Sequence, residues 1–99
     1  MDDGKRRRVM RNVLTENLTK HRSEFENLIE ISDFVNAETK AEMMYAVISR
    51  LEEINDMICR SVEDEAELKE EMRRESEILE IRCQIAAKLK SIEVMTHPP

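Results

Sequence analysis

The sequence feature that most constrains the fold is an apolar stripe that repeats every three or four residues along nearly the whole chain. Glycine occurs once and proline only at the last two positions, so little interrupts helix formation. The stripe has three runs: Leu14, Leu18, His21, Phe25, Leu28, Ser32 and Val35; Met44, Val47, Leu51, Ile54 and Ile58; and Ile78, Arg82, Ile85, Leu89 and Ile92. This spacing puts one side chain per turn on a single helical face, which must be buried against another helix. The sequence therefore predicts an all-α fold held together by contacts between helices.

The expected domain organisation is a single helical domain with short ends. The predicted segments are a disordered start at 1–4, helices over about 5–34, 37–60 and 63–93 within a domain spanning 5–94, and a linker-like tail at 95–99. Asn36 is the expected N-cap of the second helix, and the residues from Ser61 to Asp64 resemble a capping box for the third. The predicted architecture is an antiparallel three-helix bundle with coiled-coil-like seams. The alternative is two long helices, in which one helix continues without a break across a predicted boundary.

The seam between the helices is the candidate core and interaction surface. Its predicted residues are Leu14, Leu18, Phe25, Leu28, Met44, Val47, Leu51, Ile54, Ile58, Ile78, Ile85, Leu89 and Ile92. Apolar spacing specifies a face but not the helix that covers it, so a three-helix hairpin and a dimer of bent helices satisfy the same pattern. The oligomeric state stays open at this point.

The net charge of −6 is unevenly distributed. Residues 1–22 hold seven basic and three acidic side chains, whereas residues 23–99 hold nine basic and nineteen acidic ones. The candidate nucleic-acid-binding residues are Lys5, Arg6, Arg7, Arg8 and Arg11, because clustered cations bind phosphates with release of counterions. No aromatic residue lies among them to stack on bases, so a solvated helix start is the alternative.

No pattern in the chain indicates catalysis, a metal or a cofactor. The two cysteines, Cys59 and Cys83, are 24 residues apart without a CxxC pair, and we expect them to be buried small hydrophobic residues in a reducing compartment. His21 falls on the first stripe and His97 in the tail, and neither has a nucleophile beside it. We therefore expect a non-enzymatic protein without a small-molecule substrate. No apolar run approaches the length of a membrane span, so the expected location is intracellular and cytoplasmic, with the basic cluster leaving a nuclear location open.

Several stretches together resemble the N-terminal helical region of Gag-type polyproteins from BEL/Pao long-terminal-repeat retrotransposons. They are KRRRVMRNVLT at 5–15, RLEEINDMI at 50–58, EDEAELKEEM at 63–72 and IAAKL at 85–89. The resemblance covers about residues 5–93. It implies a helical leader with a role in particle assembly or genome packaging, and it implies that the basic start contacts RNA. The capsid region and zinc knuckle of that family would follow this chain, so a fragment or a small stand-alone descendant is the expectation.

The function expected from the sequence is a helical protein–protein interaction module, with self-association or another protein as its partner and no membrane contact. Two alternatives stay open. One is a module that contacts RNA or DNA through the basic arm, and the other is an adaptor that docks a partner helix.

Overall fold

The computed structural model describes residues 1–96 and contains three α-helices in this range. They are α1 (Asp3–Glu30), α2 (Phe34–Ser61) and α3 (Glu65–Thr96). No β-strand occurs within the described residues. The predicted all-α three-helix bundle is confirmed, and the alternative of two long helices is wrong. The part of the predicted tail that comprises residues 97–99 lies outside the described range.

The middle helix, α2, holds the bundle together. Both α1 and α3 pack directly on α2, whereas no Cα atoms of α1 and α3 lie within 8 Å of each other in the described part of the chain. The chain runs up, down and up, so α1 and α3 are parallel. Long polar side chains bridge these two helices, as in the contact of Arg22 with Gln84 and the pair of Glu26 with Lys88. The result is a rod 52 Å long and only 16 Å thin in its shortest dimension.

The core consists of the predicted seam and a few residues beside it. The buried seam residues are Leu18, Phe25, Met44, Leu51, Ile54, Ile58, Ile78, Ile85 and Ile92, and the partly buried ones are Leu14, Leu28, Val47 and Leu89. Ala37 and Ala41 are also buried, with no more than 1% of their surface exposed. Packing within one chain therefore buries the seam residues, fully or in part.

The turn between α1 and α2 differs from the prediction. α1 ends at Glu30 and not near residue 34, because Ser32 takes the left-handed conformation with φ of 62°. The amide of Ser32 donates to the carbonyl of Ile29, and that of Asp33 donates to the carbonyl of Leu28. These two bonds form a Schellman motif, which is a standard way to end a helix. Ser32 and Val35 therefore leave the apolar stripe, and Val35 is 77% exposed.

Aspartates cap all three helices, and the predicted caps were wrong. Asp33, and not Asn36, caps α2 by accepting from the Asn36 amide at 3.4 Å. Asp64 caps α3 by accepting from the Glu67 amide at 2.9 Å, whereas the predicted cap Ser61 ends α2.

The outer ends of the bundle also differ from the predicted bounds. α1 begins at Asp3, within the start at 1–4 that was predicted to be disordered, and Asp2 caps it by accepting from the Lys5 amide at 2.7 Å. α3 continues to Thr96 and so includes the beginning of the predicted tail.

The Ser32 conformation gives a prediction about stability. The left-handed conformation costs free energy for a residue with a Cβ atom, and it does not for glycine. Ser32→Gly should therefore raise the free energy of unfolding by about 0.5–1 kcal/mol, measured by urea denaturation followed by circular dichroism. Ser23→Gly, at an exposed position inside α1, is the control and should lower it by a similar amount. A loss of stability in Ser32→Gly would contradict the assigned turn.

Candidate interaction surface

The predicted nucleic-acid-binding residues do not form one free cluster. They lie in the first turns of α1, beside the turn that joins α2 to α3. Lys5 and Arg6 are exposed and Arg7 is partly exposed. Arg8 pairs with Glu67 of α3 at 3.0 Å. Arg11 is only 6% exposed, so its assignment as a contact for phosphates is wrong.

Arg11 belongs to a buried polar network that contains one residue from each helix. Its guanidinium donates from Nη1 to Asn55 Oδ1 at 3.0 Å and forms a two-pronged contact with the Glu71 carboxylate. Asn55 Nδ2 in turn donates to the backbone carbonyl of Glu71 at 3.3 Å. All three residues are at least 94% buried, and Arg11 Nε is buried without a partner among the described residues. A buried charge pair must keep its geometry, because a partner left alone would be strongly destabilising.

Cys59 lies at the edge of this network, where its sulfur is 3.8 Å from Asn55 Nδ2. Burial raises the pKa of the Cys59 thiol, and the nearby carboxylates of Glu75 and Glu71 raise it further. Cys59 itself is partly buried, whereas Cys83 is exposed, so the expectation that both cysteines are buried is wrong for Cys83.

The network predicts an unequal effect of two arginine substitutions. Arg11→Met leaves the Glu71 carboxylate buried without its main partner and should lower the free energy of unfolding by about 3–5 kcal/mol. Arg8→Met is the matched control and should cost less than about 1 kcal/mol, because its pair with Glu67 is exposed. Both are measured by chemical denaturation. The double variant Arg11→Met with Glu71→Leu should recover much of the loss, and equal costs for the two single variants would contradict the network.

Smaller polar contacts fix the remaining helix faces. Arg82, which falls on the α3 stripe, pairs with Glu52 of α2 and lies 5.7 Å from the ring centre of Tyr45. Lys40 of α2 contacts Glu24 of α1 at 2.6 Å, and this hydrogen bond lowers the pKa of the Glu24 carboxyl. These contacts lie at the rims of the core and join neighbouring helices.

A second apolar stripe, on the outer side of α3, is the feature that the core does not explain. We call it the outer stripe, and it consists of Met72, Leu79, Cys83, Ala86 and Val94, all exposed. Three of these residues directly follow a core-facing residue, so the outer stripe lies about 100° around the helix from the buried face. Its members repeat at steps of seven, four, three and eight residues. This spacing is that of a helical contact face.

The first half of the outer stripe borders a shallow groove between α2 and α3. The groove has a volume of about 420 Å³. Its lining consists of Met72, Leu79 and Ser76, and of the charged side chains Glu52, Lys69, Arg73 and Glu75. Met72 is 54% and Leu79 56% exposed. A long apolar side chain at such exposure is available to a partner, and methionine adapts well to different contact shapes.

The outer stripe was not predicted from the sequence, because one apolar face was assigned to each helix. Of the six methionines within the helices, only Met44 is buried in the core, whereas Met43, Met57, Met72 and Met95 are exposed. The signal was available as Met72, Leu79 and Ala86, which are seven residues apart and are each displaced by one residue from a core position.

Searches for other kinds of site and for related proteins gave no match. Within residues 1–96, no group of three or more His, Cys, Asp or Glu side chains is arranged to hold a metal ion. None of the described helices has the length and apolar character needed to cross a membrane. The chain matches no protein-family model, and no curated protein and no solved structure matches it significantly.

Proposed function

We propose that this protein is a non-enzymatic helical interaction module that associates with copies of itself through the outer stripe. The observation that carries the proposal is the exposure of Met72 and Leu79, each more than half exposed, on one face of α3. Exposed apolar side chains that line up along a helix are typical of surfaces that another helix covers.

The state of the core supports the outer stripe as the contact surface. The seam residues on all three helices are buried by one another, so the bundle does not need a partner to complete its core. Large core side chains such as Phe25, Met44 and Ile48 are no more than 1% exposed. Association that uses the seam would require the bundle to open, whereas association through the outer stripe leaves it intact.

We further propose that this association serves the assembly of a Gag-like particle. The support is the resemblance of residues 5–15, 50–58, 63–72 and 85–89 to the leader region of those polyproteins. A rod with a contact face along most of one helix suits the side-by-side packing that assembly requires.

The molar mass in solution tests self-association. We expect the mass to rise from 11.7 kDa toward two copies across a hundredfold increase in concentration, measured by light scattering behind size exclusion at physiological salt. Leu79→Glu should weaken the association by roughly tenfold or more, because it places a charge where the dimer would cover an exposed leucine. Val13→Glu, at a similarly exposed position on α1, is the control and should not weaken it.

A constant mass of 11.7 kDa for the unmodified chain would overturn the proposed self-association. The adaptor that docks a helix of a different protein would then be the better explanation of the outer stripe.

Contact with a polyanion is a second candidate function, favoured by the exposure of Lys5, Arg6 and Arg7 at the start of α1. Arg8 and Arg11 do not count toward it, because they pair with Glu67 and Glu71. The free cations extend from one end of the rod and can reach phosphates without disturbing the bundle.

Salt dependence tests this second candidate. Three phosphate contacts to single-stranded RNA give a logarithmic salt slope of about −2, so affinity should fall roughly twentyfold between 50 and 200 mM salt. The triple variant Lys5→Ala, Arg6→Ala and Arg7→Ala should abolish the slope in fluorescence anisotropy with a labelled RNA oligonucleotide. Lys20→Ala, in the middle of the same helix, is the control. Binding that the triple variant leaves unchanged would exclude this function for the basic arm.

A further inference from the structure

We propose that two copies of the chain pair antiparallel along the outer stripe of α3, with the twofold axis of the dimer beside Cys83. This inference rests on the proposed self-association and adds the orientation and register of the two helices. It follows from three properties of α3, which are the symmetry of its stripe, the sizes of the side chains and the distribution of charge.

Apolar residues on the exposed side of α3 form two pairs that are symmetric about Cys83. Met72 lies eleven residues before Cys83 and Val94 eleven residues after it, while Leu79 lies four before and the exposed Ala87 four after. A twofold axis beside Cys83 therefore places Met72 against Val94 of the second copy. It also places Leu79 against Ala87 of the second copy. A twofold interface is self-complementary, so each contact occurs twice.

The side-chain sizes in this register are complementary. Met72 and Leu79 lie on the N-terminal side of Cys83, whereas Ala86, Ala87 and Val94 lie on the C-terminal side. In the antiparallel pair each leucine meets an alanine surface, and the small thiol lies where the helix axes are closest. A parallel pair in register would place leucine against leucine and alanine against alanine, which leaves an uneven separation between the helices.

The charge of α3 also favours the antiparallel orientation. Its first part, residues 65–77, carries six acidic and three basic side chains, and its second part, residues 78–96, carries two acidic and three basic ones. These counts give formal charges of −3 and +1. Arg82 and Lys88 already pair with Glu52 and Glu26 of the same chain, so Lys90 is the basic side chain of the second part that is left for a partner. The antiparallel pair sets Lys90 against the acidic first part of the second copy, whereas a parallel pair opposes two acidic parts. Lys90, seven residues after Cys83, would then lie opposite Ser76 and next to Glu75 of the second copy.

Distances between spin labels on the full chain test the orientation. In a Cys59→Ser background, nitroxides on Cys83 should be less than about 20 Å apart, because packed helix axes are about 8–10 Å apart. The matched off-axis label is Lys69→Cys in a background of Cys59→Ser and Cys83→Ser. Lys69 is exposed and lies fourteen residues from Cys83, so an antiparallel pair separates its labels by about 40 Å at a rise of 1.5 Å per residue. Short distances at both positions, or a long distance at Cys83, would overturn the proposal.

A charge swap gives a second measurement that needs no label. Lys90→Glu should raise the dimer dissociation constant by about two- to fivefold, and adding Glu75→Lys should restore it, because exposed pairs contribute modestly. Failure of the second substitution to restore the affinity would overturn the register. The mass measurement separates this inference from the proposed function. If Leu79→Glu dissociates the dimer but the labels at position 69 are close together, self-association holds and the antiparallel orientation is excluded.

Discussion

The buried contact of Arg11 with Glu71 and Asn55 is the interaction that fixes how the three helices align. Apolar seams with similar residues at each turn tolerate a shift of one helix by a turn, about 5.4 Å, because one aliphatic side chain replaces another. A guanidinium that must face a carboxylate does not tolerate this shift. Since the three residues come from three different helices, we infer that the network selects one register for the whole bundle. Single buried polar residues set register in helical assemblies in the same way.

The same network determines which side of α3 faces outward. Glu71 is held against Arg11, and Met72, as the next residue, is therefore turned away from the core. Ile78, Ile85 and Ile92 continue the buried face at steps of seven residues. Leu79 and Ala86, which follow two of them, therefore lie on the outer side. The inner polar contact and the outer apolar stripe are thus two results of one helix orientation. A substitution that loosens the network would also disturb the proposed contact surface.

The sequence predicted the fold well because the apolar period is a local property of each helix, and every seam residue is buried or partly buried. It predicted the ends of the helices less well. Ser32 takes a conformation that glycine usually occupies, so the composition of the turn did not reveal the end of α1. The prediction that Arg11 binds nucleic acid was wrong for a different reason. A run of cations does not indicate which member lies on the inner face, and Arg11 is paired with a carboxylate sixty residues away in the chain. The proposed contact surface was missed because each helix was assigned a single apolar face.

The gap between α1 and α3 has a thermodynamic consequence. A compact monomer of 11.7 kDa exposes roughly 5,900 Å² of surface, whereas this chain exposes 6889 Å². The surplus, roughly 1,000 Å², is similar to the area of about 800 Å² that one partner buries in a standard protein interface. A rod of this shape gains less from burial than a globule of equal mass. On the proposed self-association, the stability of the rod would rise with its concentration, since association adds burial to the core that each copy already completes.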